Sequence, residues 1–257
     1  MNVLVCVKRV PATGGRIVLT PDGQEIDTRY LGFTVSPHEE CAVEEAVRIV
    51  EAQRGSTTVL TLGPAAAEEQ LRDAMAVGIE RAVLLETDGR EFDPMATAAA
   101  IVETVHAREA TDGPFDLILF GNEAADTGDF QVGIRVAVAL DRPIATGSKS
   151  LTLGDGRVVA RREAPGGGWE TYELPLPAVV SVKEGLNLPR YPSVPGRLRA
   201  KRKEVERVVP VWSQTGARKR GLRLPEEQGA PVEVLGQGPE AASKVVDLLV
   251  RLGVIGS

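Results

Sequence analysis

The run Gly121-Asn-Glu-Ala-Ala-Asp-Thr-Gly-Asp-Phe-Gln-Val-Gly133 has the residue types that receive a phosphate. Small side chains and glycines leave backbone N–H groups free to face an anion, and the helix expected to follow adds about half a positive charge at its start. A nucleotide monophosphate fits such a loop. The run is neither a Walker A loop nor a Gly-x-Gly-x-x-Gly turn, so taken alone it reads equally as an ordinary strand-to-helix connection. Ser36-Pro37-His38-Glu39 offers a second wall and Leu62-Gly63 a third, able to lie beneath an adenine. His38 is the side chain among them with unusual chemistry, although a histidine in a first helical turn is more often a surface residue than a functional one.

Covalent catalysis is not indicated. The chain has no nucleophile elbow, no Cys-His arrangement and no isolated carboxylate pair, which points to a binder or carrier and not an enzyme. Cys6 falls in an expected strand and Cys41 in an expected helix, and two histidines in 257 residues give no metal-ligand spacing, so reduced thiols and no metal are expected. A net charge of −6 opposes general nucleic-acid binding, and 4% aromatic residues supply no stacking platform for single strands.

A second kind of chemistry, docking, is suggested by Leu186-Asn-Leu-Pro-Arg-Tyr-Pro-Ser-Val-Pro-Gly-Arg-Leu-Arg-Ala-Lys-Arg-Lys203. Pro192 and Pro195 restrict their own φ and that of the residue before them, which is expected to hold Ser193 and Val194 out of any helix and to present Val194 as an apolar anchor. Arg197 and Arg199 open a basic run on an acidic protein, a combination suited to one acidic partner. A proline-rich linker with a solvated basic tail is the plainer reading of the same residues.

These candidates need a scaffold. Short apolar runs alternate with helix-period segments: Val3 to Val7 then Pro37 to Gln53, Thr57 to Leu62 then Ala66 to Val77, Ala82 to Glu86 then Pro94 to Arg108, and Phe115 to Phe120 then Gly128 to Leu140. Such alternation predicts an α/β fold with an open, mostly parallel, doubly wound sheet of 3-2-1-4-5-like order. The crevice would lie between the strands ending at Val7 and Phe120. Ser36, Pro37 and Glu39 spell a capped helix start, and Asp93-Pro94 repeats the signal. From Ile144 to Leu174 the pattern is that of a hairpin insertion turning at Gly154-Asp155-Gly156, before a strand at Ala178 to Val182. Beyond Asn187 the chain reads as irregular until an amphipathic helix from Pro239 to Leu252. Residues 1–185 are thus expected to form the nucleotide-binding domain and 186–257 a recognition loop and C-terminal arm. No apolar run is long enough to span a membrane and the start is already strand-like, so a cytoplasmic protein is expected.

Val5-Cys-Val-Lys-Arg-Val10, Ala42-Val-Glu-Glu-Ala-Val47, Leu62-Gly-Pro64, Arg162 to Glu170, Leu176-Pro-Ala-Val-Val180 and above all Leu186 to Lys203 resemble the β subunit of electron-transfer flavoprotein over essentially the whole chain. The resemblance implies a heterodimer whose α subunit holds a redox-active FAD while the β subunit buries an AMP. It implies electron transfer from acyl-CoA and related dehydrogenases to a quinone oxidoreductase, Val194 as the anchor of a recognition loop, and residues 186–257 as an arm wrapping on α. Carried over, the AMP contacts fall at Cys6, Ser36, Pro37, His38, Glu39 and Leu62, then at Glu123, Ala124, Ala125, Asp126, Thr127 and Gly128, and on through Asp129, Phe130, Gln131, Val132 and Gly133 to Ile134. His38, with Thr13 nearby, would lie towards the flavin.

Departures from the family pattern leave alternatives. Many relatives carry aromatic residues at positions 13 and 38. Gln131-Val132-Gly133 is shared with members that hold a second FAD in place of AMP and bifurcate electrons, but the residues before it do not follow their Asp-Gly-Asp-Thr-Ala pattern. A free-standing ATP- or AMP-binding domain is the other alternative, against which Lys8-Arg9-Val10-Pro11 is not a Ser-Gly-Gly-type phosphate loop.

Overall fold

The first strand, Asn-Val-Leu-Val-Cys-Val, has no polar alternation, the signature of a strand buried on both faces. In the computed structural model, which describes residues 1–257 except 13, 15, 16, 90, 91, 212–215, 217, 218, 226–232 and 257, it forms β1 (Asn2–Val7). Two short strands, β2 (Val10–Pro11) and β3 (Phe33–Thr34), pair antiparallel and lead to α1 (Pro37–Gln53). The alternation continues through β4 (Ser56–Gly63), α2 (Glu68–Val77), β5 (Arg81–Glu86), α3 (Pro94–Asp112), β6 (Leu117–Gly121) and α4 (Val132–Ala139). After β7 (Ile144–Ser148), the strands β8 (Ser150–Gly154), β9 (Arg157–Glu163) and β10 (Trp169–Pro175) make a separate antiparallel sheet. The remaining elements are β11 (Ala178–Val182), α5 (Val194–Arg202), β12 (Glu206–Val208) and α6 (Ala242–Arg251).

The main sheet has seven strands in the order β12-β5-β4-β1-β6-β11-β7, with every neighbouring pair parallel. Without its edges it is the 3-2-1-4-5 order expected. Val3, Val5 and Val7 face a core shared with Ala42 and Ala46 of α1 and Leu71 of α2. Leu4 and Cys6 face the opposite core, with Ile101 and Val105 of α3 and Val136 of α4. Asp93 caps α3 by accepting from the Met95 and Ala96 N–H groups at 2.9 and 2.8 Å, as its position before Pro94 predicts.

Three expectations are corrected. Val194 is not held out of a helix: it is the first residue of α5, with Ser193 as N-cap accepting from the Gly196 N–H at 3.1 Å. Proline lacks an N–H that the first turn would leave unpaired in any case, so Pro195 starts the helix instead of preventing it. The stretch beyond Asn187 is not irregular throughout, because β12 adds a parallel edge strand beside β5. α4 begins at Val132, four residues later than its periodicity suggests, because Gly128 takes a positive φ of 66° and donates its N–H to the Ala124 carbonyl at 2.8 Å, closing a tight loop.

Two compact units are present, Met1–Gly221 and Leu222–Ser257. Within the second, a single 3-10 turn at Pro239–Ala241 leads into α6, whose Val245, Val246 and Val250 are exposed. Among the described residues no helix is long and apolar enough to cross a membrane.

Candidate functional site

β1 and β6 are neighbours whose outgoing connections lead to helices on opposite faces of the sheet, so a crevice opens where they end, at Val7 and Gly121. The first wall is the N-terminus of α1. Ser36 Oγ accepts the Glu39 N–H at 3.2 Å and Glu39 Oε2 accepts the Ser36 N–H at 2.8 Å, the reciprocal box its sequence predicts. The second carboxylate oxygen accepts the Lys8 N–H at 2.7 Å, so Glu39 ties the exit of β1 to the start of α1. Gly121 makes room for this: a Cβ there would lie 2.7 Å from Glu39 Cγ and 3.3 Å from His38 Cβ.

Glu39 is buried, and loss of solvent pushes its carboxyl up to about 7 against the opposing pull of the Ser36 and Lys8 hydrogen bonds. The folded state then holds a proton that the unfolded chain, with its ordinary carboxylate value near 4.5, has released. Stability from this group is complete below the unfolded value and is lost as pH rises towards about 7, by roughly 3 kcal/mol. Denaturant midpoints should fall across that window, and Glu39→Gln should flatten the fall. An equal slope in wild type and variant would contradict this assignment. Cys6, at the end of β1, is buried too, and its thiol is raised by the same desolvation, with a smaller contribution from Glu39.

The second wall is the loop after β6. Lys8 Nζ donates to Asp126 Oδ1 at 2.8 Å, and the same oxygen accepts the Thr127 N–H at 2.9 Å, so a side chain from the end of β1 holds the loop across the crevice. Glu123, Ala124 and Asp129 are half-buried, while Ala125, Asp126, Thr127 and Gly128 form the exposed tip. Asn122 Oδ1 accepts from Ser181 Oγ at 3.3 Å, which anchors the loop's root to the end of β11. Phe130 and Ile134 are 53% and 42% exposed, so neither is packed as core. Gln131 precedes α4 without capping it, and its Oε1 instead accepts from Arg135 Nη2 at 2.8 Å. The first-turn N–H groups of α4, at Val132, Gly133 and Ile134, donate to no side chain of the N-cap residue Gln131, the arrangement that suits an anion. Gly133 packs its backbone on Phe120, where a Cβ would stand 3.2 Å from the ring. Leu62 is half-buried at the end of β4, next but one to β6 across β1, and Pro37 is exposed.

His38 joins three elements. Its Nδ1 accepts the Glu184 N–H at 2.8 Å, which assigns the ring hydrogen to Nε2, 3.4 Å from Glu123 Oε1. Thr13, its expected neighbour, lies outside the described residues. The sequence gives no contact role to Lys8 or Glu184, and it marks Asn122 only as part of the Gly121–Gly133 run. Lys8 carried a usable signal, because the first residue past a strand at the switch point is delivered into the crevice whatever its type.

The arm is fastened at both ends. Asn187 Nδ2 donates to the Cys41 carbonyl at 3.0 Å and to Glu45 Oε2 at 2.9 Å, and Arg190 forks onto Glu44 and Glu51 at 2.7–3.0 Å. At the far end α5 packs on α2 through buried Gly196 and Ala200. The approach is close enough that a Cβ at 196 would meet the Ala76 carbonyl oxygen at 2.4 Å. Val194 and Leu198, one turn apart on the opposite face, are 72% and 56% exposed, and Leu188 and Tyr191 stand out between the fastenings. Arg197 lies 3.8 Å from Asp73. Arg199, with Lys201 and Arg202, is in the last turn of α5, where positive charge also complements the helix dipole.

The model of the electron transfer flavoprotein domain matches residues 25–211. The chain belongs to the electron transfer flavoprotein family. It is 36% identical over 208 residues to the electron transfer flavoprotein subunit beta of Bacillus subtilis, an alignment covering 80% of this chain and 78% of that one. It is 36% identical over 210 residues to that of Mycobacterium leprae, with 79% and 77% covered, and 35% identical over 211 residues to that of Homo sapiens, with 82% of each covered. The matched region takes in the crevice walls at α1, β4 and the loop after β6, and residues 186–211 of the arm, in this electron transfer flavoprotein family member.

Proposed function

We propose that this chain is the β subunit of a heterodimeric electron-transfer flavoprotein, an electron carrier and not an enzyme, working in the cytoplasm. In this reading it binds AMP in the crevice, helps hold an α subunit that carries FAD, and serves transfer from acyl-CoA and related dehydrogenases to a quinone oxidoreductase. The observation that supports it is the joint presence, on one family member, of a crevice whose uncapped helix N-terminus suits an anion and a separately fastened basic arm that exposes Leu188, Tyr191, Val194 and Leu198. The residues fit a nucleotide monophosphate: the uncapped N–H groups of Val132, Gly133 and Ile134 and the ammonium of Lys8 suit its phosphate, and Leu62 suits the face of its base. FAD, when bound on the α subunit, supplies the reversible uptake of electrons. This chain's residues position and dock: Glu39 sets the crevice, His38 faces the α-held cofactor, and Val194 with Arg197 and Arg199 meets the dehydrogenase.

Purified alone, the chain is expected to be colourless and to bind AMP, with the flavin spectrum appearing only in complex with the α subunit. Flavin absorbance that stays with the isolated chain would contradict the reading.

A further inference from the structure

The segment leaving β11 lies along α1 as a series of rungs. His38 takes the Glu184 N–H, Cys41 and Glu45 take Asn187, and Glu44 and Glu51 take Arg190. Positions 38, 41 and 45 recur at helical spacing, so one face of α1 carries the root of the arm. Leu186 donates its N–H to the Lys183 carbonyl at 3.3 Å, which makes the stretch between the first two rungs a closed turn. Moving Glu184 therefore moves the turn that delivers Asn187.

The first rung differs from the rest because its acceptor is an imidazole nitrogen. A lone pair on Nδ1 is required to accept from the Glu184 N–H, and a ring protonated at both nitrogens has none to offer. We propose that His38 is a positioning residue that couples the crevice to the arm: neutral, it holds both the Glu184 N–H and Glu123; protonated, it releases that N–H and keeps Glu123, now as an ion pair across the crevice. Its side chain is 18% exposed, open enough to exchange protons with solvent. The titratable and charged groups around it are Glu39, which holds its own proton below about pH 7, and Glu40 on α1, Glu123 after β6, Lys183 and Glu184 after β11, and the Lys8–Asp126 pair behind Glu39. Protonation thus breaks the contact to the arm-side loop and strengthens the existing one to the crevice-side loop, with no other side chain needed. The contact exists whether or not residues 186–203 dock a dehydrogenase, so its failure and that of the docking reading are separately visible.

The test is backbone amide exchange and imidazole nitrogen shifts, measured by NMR on the full chain from about pH 5.5 to about pH 8, corrected for intrinsic exchange. In wild type, protection of the Glu184 amide should fall about tenfold as His38 takes up its proton, the equivalent of one ordinary hydrogen bond. His38→Asn places an oxygen where Nδ1 was and does not titrate. It should keep the Glu184 amide protected across the range, while the Lys8 and Ser36 amides, which report on Glu39, keep their own pH response. Glu184 protection that ignores the His38 titration, or a Glu184 step that persists in His38→Asn, would overturn the coupling.

Discussion

Val194→Asp is expected to weaken association with a partner dehydrogenase by about 2–4 kcal/mol, roughly 30- to 1000-fold in Kd. Val194 is 72% exposed at the first turn of α5 and belongs to neither core, so the loss would come from asking a carboxylate to enter an apolar pocket. The fold and the crevice should be unaffected. Charge reversal at Arg197 and Arg199 should act differently, slowing association and doing so less at high salt, as steering does. Steady-state electron transfer against dehydrogenase concentration reads both. A wild-type concentration dependence for Val194→Asp would show that the arm docks nothing through this side chain.

Arg190→Ala is expected to destabilise the protein by about 2–3 kcal/mol. Arg190 makes four side-chain bonds to two carboxylates, and Glu44 is 5% exposed, so truncation leaves a buried charge with only the backbone N–H of residue 190, at 3.1 Å, in place of the guanidinium. Arg190 itself is 37% exposed along its side chain, which keeps the effect below that of a fully dry pair. Replacing both partners, as Arg190→Met with Glu44→Met, should recover most of the loss, because no unpaired charge then remains. Denaturant midpoints of the two single variants and the double variant decide this. A double variant as unstable as the sum of the singles would mean that the pair acts through packing alone.

What could be read from sequence was what neighbouring residues decide. The Ser36–Glu39 box, the Asp93 cap and the unalternated strands are local, and the β-α alternation implies the parallel doubly wound sheet while leaving more than one strand order open. Val194 escapes the local rule: the residue before a proline avoids helix in the interior, but the first helical residue tolerates it. Contacts between distant segments left no trace. Lys8 meets Asp126 across 118 positions and His38 meets Glu184 across 146, and neither residue type announces its partner. The basic run shows the same limit, since Lys203 Nζ turns back to the Ile79 carbonyl at 2.9 Å and fastens the arm from which a solvated or docking charge was expected.

The central claim, a crevice for AMP beside an α-held FAD, is tested most directly by counting nucleotides. The complex of this chain with its α subunit should be denatured and the released nucleotides separated and quantified. One FAD and one AMP per heterodimer is the result expected. Two FAD and no AMP would place a second flavin in the crevice between β1 and β6 and contradict the account.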